Sequence, residues 1–259
     1  MPSENIATST PKIALVTGGS RGIGRATVLS LAQRDVNTIF TYNTQQAEAA
    51  TVVGLVAQNG RQAIALPLDT GNISSFDPFV QRVRQALAEL GAERFDYLVN
   101  NAGISLHNAF DHTTEEELDS VYTINFKGVF FLTQKLLRLI NDGGRIVNIS
   151  SGLTRFTIPG SSAYAAMKGA IEVLTRYMAK ELGGRGIAVN TVAPGAIATD
   201  FSGGVVRDNP EMNRRVAGMT ALGRVGQPED VGSVIAVLLS EDCRWIDAQR
   251  LEVSGGMAL

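Results

Sequence analysis

Tyr164 and Lys168 are the pair of side chains in this sequence best suited to acid–base chemistry. They stand four residues apart in a pattern that predicts a helix, so they share one face of it. An ammonium group beside a phenol stabilises the phenolate, and we therefore expect Lys168 to lower the pKa of Tyr164 toward neutrality. Such a tyrosine can protonate a carbonyl oxygen while a hydride reaches the carbon. Ser151 follows a predicted strand, from which its hydroxyl could hold the same oxygen.

A glycine-rich turn between the first predicted strand and the first predicted helix could bind a dinucleotide. Glycine lets backbone N–H groups at the start of a helix come close to a pyrophosphate. The spacing differs from the usual G-x-G-x-x-G fingerprint, so the interpretation depends on the position of the turn between strand and helix. The candidate binding residues are Gly18, Ser20, Arg21, Gly22, Ile23 and Gly24.

Residues 18–22 of the same turn also fit G-x-S-x-G, the nucleophile elbow of α/β-hydrolases, with Ser20 as the nucleophile. That hypothesis requires an acid and then a histidine downstream. The sequence has only His107 and His112, both far from the C-terminus, and this disfavours a hydrolase. Two histidines and a single distant cysteine, Cys243, also give no predicted metal site.

The end of the second predicted strand indicates which dinucleotide would bind. A site specific for NAD usually carries an Asp or Glu about 20 residues beyond the glycines, where it binds the ribose hydroxyls. Here the strand ends in Tyr42, Asn43 and Thr44, and the next acid is Glu48. The missing carboxylate, together with Arg21 in the glycine turn, favours NADP(H) as the cofactor.

The elements that must position these groups alternate between short apolar runs and longer amphipathic segments. This alternation predicts an α/β fold, a single Rossmann-type doubly wound parallel sheet of about seven strands with helices on both faces. The predicted strands are Ile13–Thr17, Thr38–Tyr42, Ala63–Leu68, Tyr97–Asn100, Arg145–Ser150, Ala188–Ala193 and Arg250–Val253. The predicted helices are Gly22–Gln33, Gln45–Asn59, Phe76–Leu90, Glu115–Ile140, Ser162–Leu182 and Pro228–Leu239.

The domain organisation is expected to be simple. Residues 1–11 are polar and predict a flexible tail, and residues 12–259 predict one catalytic domain that binds NAD(P). Within that domain, residues 196–223 interrupt the strand–helix alternation. We interpret this segment as a lid over the substrate.

Composition excludes several classes of function. The 259-residue chain has 23 basic and 25 acidic residues and a net charge of −2. We therefore expect no non-specific electrostatic attraction to nucleic acid. The single cysteine cannot form an internal disulfide, which favours a reducing compartment. The first dozen residues do not resemble a signal peptide, and no run approaches the ~18 apolar residues of a membrane helix. We therefore expect a cytoplasmic chain with no nucleic-acid or membrane partner.

Taken together, these motifs resemble the classical branch of the short-chain dehydrogenase/reductase family, from about residue 12 to residue 256. The T-G-x-x-x-G-x-G pattern of that family matches Thr17–Gly24, and its N-N-A-G matches Asn100–Gly103. Its active-site asparagine matches Asn125, its serine matches Ser151 rather than Ser150, and its Y-x-x-x-K matches Tyr164 and Lys168. Its P-G-x-x-x-T matches Pro194, Gly195 and Thr199. Near the C-terminus, Ile246–Gln249 and Val253–Gly256 depart from the I-T-G-Q and V-D-G-G of many relatives.

The resemblance implies a role for each matched residue. Tyr164 would be the acid/base, Ser151 would orient the carbonyl, Lys168 would bind the nicotinamide ribose, and Asn125 would hold a water that links Lys168 to solvent. The further cofactor-binding residues that it implies are Asp69, Thr70, Asn101, Ala102, Gly103, Pro194, Gly195, Ile197 and Thr199. It also implies a homotetramer or a dimer, with its main interface on two long helices.

The function expected from these observations is NADPH-dependent reduction of a ketone or aldehyde to an alcohol, which is a reversible reaction on a small-molecule substrate. A subgroup that the chain resembles contains the 3-oxoacyl-acyl carrier protein reductases, which remain an alternative. Five arginines could form the basic docking patch for a carrier: Arg138, Arg155, Arg207, Arg214 and Arg215. An alternative of another class is a regulatory protein that binds the nucleotide without catalysis.

The residues at the end of the second strand generate a first prediction. Because no carboxylate there repels a 2′-phosphate, we expect turnover with NADPH to exceed turnover with NADH. Steady-state rates measured with both cofactors at equal concentration check this. Equal or faster turnover with NADH would contradict it.

Overall fold

Seven parallel strands form one sheet in the computed structural model, which describes residues 11–259. Residues 1–10 of the predicted tail lie outside the described residues. The strand order is β3-β2-β1-β4-β5-β6-β7. The strands are β1 Ile13–Val16, β2 Asn37–Tyr42, β3 Ala63–Pro67, β4 Phe95–Asn100, β5 Ile140–Ile149, β6 Ala188–Pro194 and β7 Arg250–Val253. The order reverses between β1 and β4, and a crevice for a ligand opens at such a point, beyond the carboxyl ends of the strands.

Helices cover both faces of the sheet because successive strand residues point to opposite sides. On one face Leu15 and Ile146 pack with helices α3 and α5, and on the other Val16 and Val147 pack with α1 and α9. The helices are α1 Gly22–Ala32, α2 Gln46–Gln58, α3 Phe76–Glu89, α4 Glu115–Tyr122, α5 Gly128–Leu136, α6 Ser162–Leu182, α7 Val205–Asp208, α8 Pro210–Gly218 and α9 Pro228–Leu238. The predicted fold class is thus confirmed. No helix among the described residues is long and apolar enough to cross a membrane.

The predicted helix Glu115–Ile140 is wrong in its extent. Helix α4 passes into a π-helical turn, Thr123–Lys127, before α5 begins, and a short 3-10 turn, Leu137–Leu139, follows α5. Ile140 belongs to β5, where it pairs with Phe95. The helical segment ends where Ile140 takes an extended backbone conformation, and Arg185 donates to the carbonyls of Leu137 and Ile140, which satisfies groups left at that end.

Two helices begin with local features that are typical of helix starts. Thr114 and Glu117 form a reciprocal capping box at the start of α4, and Pro228 occupies the first turn of α9.

The segment Ile246–Gln249, which departs from the resembled family, forms a turn in which Asp247 accepts from the Val189 amide. Ala248 has a φ of 57° there, a left-handed conformation that suits the glycine of the family pattern better than alanine.

The amino ends of three strands meet at Asp96, a residue that the sequence patterns did not single out. Its buried carboxylate accepts from Lys12 Nζ at 2.9 Å, from the Ile13 amide at 2.9 Å and from Asn141 Nδ2 at 3.1 Å. Because these partners precede or belong to β1 and β5, a single side chain of β4 fixes the relation of all three strands.

Asp96→Ala is therefore expected to lower the free energy of unfolding by about 2–3 kcal/mol, since it leaves the buried Ile13 amide without its charged acceptor and removes the partner of Lys12 and Asn141. Urea unfolding measures this loss. Asp142→Ala is the control, because Asp142 is exposed and pairs only with Arg185 at the surface. That control should change the free energy of unfolding by less than about 1 kcal/mol. Equal losses in the two variants would contradict the prediction.

Candidate active site

The predicted site residues lie along the carboxyl edge of the sheet. The glycine turn follows β1, Asn43 and Thr44 follow β2, and Asp69 and Thr70 follow β3. The segment Asn101–Gly103 follows β4, Ser151 follows β5, and Gly195–Thr199 follows β6. Asn125 lies in the π-helical turn, and α6 carries Tyr164 and Lys168. The sheet therefore gathers groups that are far apart in the sequence at the crevice between β1 and β4.

The glycine turn fits a pyrophosphate because it leaves no room for side chains. Gly18 and Gly22 have φ values of 66° and 54°, in the left-handed region that favours glycine. A Cβ on Gly24 would lie 2.1 Å from the carbonyl oxygen of Gly18. Helix α1 begins at this turn with no side-chain cap and no acidic residue in its first turn. Its first N–H groups and the positive end of its dipole are thus available to an anion.

Thr17 and Asn101 join the glycine turn to the segment that follows β4. Thr17 Oγ1 accepts from the amides of Asn101 and Ala102 at 2.9 and 3.0 Å. The side-chain amide of Asn101 donates to the carbonyls of Thr17 and Gly18. The side chain of Asn101 therefore binds the protein's own backbone and shapes the groove. The sequence analysis placed Asn101 in the site but did not single out Thr17, its partner.

Tyr164, Lys168 and Ser151 meet at the end of β5. Lys168 is buried, its Nζ donates to the carbonyl of Ile149 at 2.9 Å, and it lies 5.7 Å from the centre of the Tyr164 ring. The Ser151 hydroxyl lies beside the Tyr164 phenol and acts to lower the pKa of that phenol. The neighbouring Ser150 hydroxyl instead lies 2.7 Å from Glu172 Oε1. Ser151 is thus the serine that faces the tyrosine.

Burial controls the protonation of both groups on α6. Desolvation raises the pKa of Tyr164 to about 12, although the Ser151 hydroxyl opposes that rise. Desolvation also lowers the pKa of Lys168 to about 8. The expectation that Lys168 lowers the tyrosine pKa toward neutrality is wrong for this structure. The physical reason is that the buried site disfavours both charged forms, the phenolate and the ammonium.

Asn125 organises the segment after β4 through its side chain. Its Oδ1 accepts from the Ile104 amide at 3.0 Å, and its Nδ2 donates to the Ile104 carbonyl at 2.9 Å. A Cβ on Gly103 would lie 2.6 Å from Asn125 Oδ1 and 3.5 Å from Lys168 Nζ, so only glycine allows this approach. The π-helical turn, a feature frequent at functional sites, brings Asn125 to that position.

The end of the groove beside β2 and β3 is more open than the end at Tyr164. Asp69 uses one carboxylate oxygen to accept from the Gly71 amide and so holds the turn after β3, while Asn43 and Thr44 are exposed. The Arg21 side chain is 59% exposed, and its nearest counter-ion is Asp200 at 3.8 Å. Beside it lies a cavity of about 320 Å³ whose lining includes Arg25, Glu48 and Arg207. Arg21 is held weakly by protein groups, because exposed ion pairs contribute little.

The segment after β6 crosses over both ends of the site. A Cβ on Gly22 would lie 3.4 Å from the Thr199 methyl, and Thr199 Oγ1 accepts from the Phe201 amide. The ring of Phe201 lies 6.1 Å from that of Tyr164. Residues 202–204 all have left-handed backbone conformations, and this reversal precedes α7. Phe201 was not predicted as a site residue, because one exposed aromatic side chain in a loop carries no pattern.

Pro194 and Gly195 connect β6 to the segment that crosses the site. The Gly195 amide donates to the Val253 carbonyl of β7, and a Cβ on Gly195 would lie 2.9 Å from Ser254. Further along, Ile197 pairs with Gly226 through a short parallel bridge. The start of the crossing segment is thus fixed against β7, and Ile197 is fixed against the chain that leads into α9.

Residues 11–259 contain no group of three or more His, Cys, Asp or Glu side chains placed to hold a metal ion. The two histidines are both exposed. His107 packs over Gly160, where a Cβ would lie 2.7 Å from the imidazole. His107 therefore belongs to the rim formed by the loops after β4 and β5.

Three comparisons with known proteins show which family this chain is similar to. The family described as enoyl-(acyl carrier protein) reductase matches residues 18–258. Versicolorin reductase 1 of Dothistroma septosporum is 35% identical over 255 residues, which cover 95% of either chain. The reductase LugOII, which catalyses keto-reduction at C1 in lugdunomycin biosynthesis, is 40% identical with a TM-score of 0.92 over 96% of this chain and 99% of its own. The angucycline C-6 ketoreductase LanV, solved with bound NADP, is 36% identical with a TM-score of 0.90 over 95% of either chain.

The buried lysine generates a prediction about pH and stability. Below pH 8 Lys168 is charged in both the folded and the unfolded chain, and folding bears the full cost of burying that charge. Between its folded pKa of about 8 and its unfolded value of 10.5, only the unfolded chain keeps the proton, so this cost falls as pH rises. We expect the wild-type chain to gain stability relative to Lys168→Met as pH rises from 8 to 10. Urea unfolding of both proteins measures the difference, and a constant difference across that range would contradict the prediction.

Proposed function

The chain belongs to the short-chain dehydrogenase/reductase family, and we propose that it reduces a ketone to an alcohol with hydride from NADPH. The observation that carries the proposal is the meeting of Ser151, Tyr164 and Lys168 at the end of β5, beside the turn that fits a pyrophosphate. The relatives support it, because versicolorin reductase, LugOII and LanV are all named as reductases and LanV holds NADP.

In this proposal Tyr164 is the general acid. A phenol whose pKa burial raises to about 12 keeps its proton at neutral pH, as a donor to the substrate oxygen must. The Ser151 hydroxyl donates a hydrogen bond to the same oxygen and stabilises the negative charge that develops on it. Lys168, with a pKa lowered to about 8, can exchange a proton close to neutral pH and so can restore the Tyr164 proton.

Asn125 acts in the proposal by holding the backbone at residues 103–104. Its two hydrogen bonds to Ile104 keep Gly103 close to Lys168, where a side chain would block the approach. The Asn125 side-chain amide makes one hydrogen bond through each of its polar atoms, and its remaining hydrogen-bonding capacity can serve the water that the family resemblance implies. The residue thus contributes both to the shape of the groove and to the route by which Lys168 regains its proton.

NADPH is recognised in this proposal by Arg21 with the neutral groups at the end of β2. The Arg21 guanidinium is largely exposed beside the glycine turn, and no carboxylate follows Tyr42 before Glu48. A 2′-phosphate placed there gains a cation and hydroxyl or amide donors from Asn43 and Thr44. Such charge-assisted hydrogen bonds are stronger than neutral ones. Asp69 and Thr70 would contact the adenine end, and Ile197 and Thr199 the nicotinamide end.

The substrate class that we propose is a polycyclic aromatic ketone. Two similar structures are named for keto-reduction at C1 in lugdunomycin biosynthesis and for angucycline C-6 ketoreduction, and a relative of 34% identity is named hydroxynaphthalene reductase-like, after a compound with a fused aromatic ring. This chain places aromatic side chains beside the site that would suit such a ring. Phe201 is 43% exposed and tilts against the Tyr164 ring, while Phe156 packs with the segment 196–223. We propose that this segment is the substrate lid and that Phe201 excludes water from the reacting carbonyl.

An acyl carrier protein substrate has weaker support. Two arginines of the candidate docking patch are occupied within the chain, since Arg155 pairs with Glu252 and Arg207 pairs with Asp200 and Asp208. A regulatory protein without catalysis is also disfavoured, because the Ser151, Tyr164 and Lys168 side chains and their contacts are all present.

Turnover measured on a panel of polycyclic ketones, simple ketones, aldehydes and 3-oxoacyl thioesters distinguishes the substrate classes.

We further propose a homotetramer or dimer that works in the cytoplasm. Apolar side chains support the assembly, because Tyr122, Phe130, Val173 and Tyr177 on α4, α5 and α6 are exposed, and burying them between subunits would be favourable. The single free Cys243 is compatible with a reducing compartment.

Tyr164→Phe tests the proposed function directly. The change removes the hydroxyl alone, so we expect turnover of the best ketone in the panel to fall by about 10²–10⁴-fold while NADPH still binds. Turnover is followed by NADPH absorbance, and binding by NADPH fluorescence. Tyr177→Phe is the matched control, because Tyr177 lies on the same helix thirteen residues after Tyr164 and the change keeps its ring, so it should leave turnover unchanged. Wild-type turnover in Tyr164→Phe would refute the mechanism.

A further inference from the structure

A chain of charged side chains joins the last strand to the end of β5, behind Ser151. Arg155 pairs with Glu252 at 2.6 Å, Glu252 with Arg250 at 3.1 Å, and Arg250 with Glu172 at 2.7 Å. Arg250 and Glu252 lie on β7, Glu172 lies on α6, and Arg155 follows the turn that begins at Ser151. All four side chains are at least partly withdrawn from solvent, so the network can order the groups that it contacts.

Glu172 gathers three donors on one carboxylate oxygen. Its Oε1 lies 2.7 Å from Ser150 Oγ, from Thr154 Oγ1 and from Arg250 Nε. These partners come from β5, from the turn after it and from β7. The carboxylate therefore engages the residue before Ser151 and the residue three after it, and ties both to the last strand.

Arg250 reaches the backbone of Ser151 itself. Its Nη2 donates to the Ser151 carbonyl at 3.3 Å and contacts Thr154 Oγ1 at 3.1 Å. Thr154 Oγ1 also lies 2.9 Å from the Ser151 carbonyl, but its single proton can be donated either to that carbonyl or to Glu172. Arg250 is thus the group of the network that holds the Ser151 carbonyl in either case, while the Ser151 hydroxyl accepts from the Leu153 amide at 3.2 Å. With the backbone fixed, the direction of the Ser151 hydroxyl is restricted.

We propose that Arg250 and Glu172 are positioning residues of the reduction, which hold segment 150–154 so that the Ser151 hydroxyl points at the substrate oxygen. The inference rests on the proposed function, since it assigns these residues a part in that reaction. Neither residue needs to touch substrate or cofactor. Loss of one donor at an oxyanion site costs about 10²–10³-fold in rate, and a misdirected donor is expected to lose a part of that, about tenfold.

Arg250→Met tests the proposal against a matched arginine. Arg185 also pairs with a carboxylate, Asp142, and donates to two backbone carbonyls, but it does so at the amino end of β5. We expect Arg250→Met to lower kcat about tenfold or more with an unchanged Kd for NADPH, and Arg185→Met to keep kcat within twofold of the wild-type value. A kcat for Arg250→Met within twofold of wild type, or equal losses in both variants, would overturn the proposal.

A smaller change in the same network can be made at Thr154. It tests the proposal even if Arg250→Met folds poorly. Thr154→Val keeps the shape of the side chain but removes the hydroxyl that joins Glu172, Arg250 and the Ser151 carbonyl. Thr154→Ser restores that hydroxyl. We expect kcat to fall severalfold in the valine variant and to recover in the serine variant, with the Kd for NADPH unchanged in both. Equal kcat in the two variants contradicts the proposal, because a role in packing alone would not follow the hydroxyl.

Hydrogen exchange tests whether Arg250 holds the segment that carries Ser151, and the measurement requires no substrate. The amides of residues 153–156 should exchange about tenfold faster in Arg250→Met than in wild type, and at the wild-type rate in Arg185→Met. Unchanged exchange in Arg250→Met overturns the proposal whatever the turnover. If the wild-type chain reduces no ketone of the panel, the proposed function fails, and the exchange rates still show whether Arg250 holds the serine segment.

Discussion

The burial of the Lys168 ammonium at the end of β5 is the constraint on which the rest of the site depends. A buried ammonium group needs a strong acceptor, and the carbonyl of Ile149 provides one at 2.9 Å. That hydrogen bond fixes α6 against the end of β5. Tyr164 lies one turn earlier on the same helix, and Ser151 follows Ile149 by two residues. A single polar contact thus sets the relation between the phenol, the ammonium and the serine hydroxyl.

A row of buried polar side chains holds α6 in position against β4, β5 and β6. Asn100 on β4 donates to Asn148 on β5 at 2.8 Å, and Asn148 donates to Thr175 on α6 at 2.9 Å. Thr191 on β6 also donates to Thr175. Buried polar groups are costly unless they are paired, so the row favours one register of the three strands and one position of α6. The charged chain from Arg155 to Glu172 has the same effect on the segment that carries Ser151.

The other half of the site depends on close approaches that only glycine allows. Gly24 meets the carbonyl of Gly18, and Gly103 meets the side chain of Asn125, at distances where any Cβ would collide. Thr17 and Asn101 then lock the two segments together. The groove can therefore present N–H groups to a dinucleotide, while the buried end keeps Tyr164 protonated for its proposed role as an acid.

The sequence alone was sufficient to predict the parallel sheet, all seven strands and the gathering of Ser151, Tyr164 and Lys168, because apolar runs, helical spacing and ordered motifs are local patterns. It failed at the helix predicted to end at Ile140, since Ile140 pairs with Phe95 of β4, a contact that only the folded chain makes. It also gave the wrong direction for the Tyr164 pKa, because the cost of burial depends on everything packed around the phenol. Asp96, Glu172 and Arg250 carry no local pattern and acquire their roles only when β1, β5, β7 and α6 meet. Local spacing thus predicted which groups could react, because it places them on one helix face and at one strand end, and tertiary packing decided their protonation and the partners that hold them.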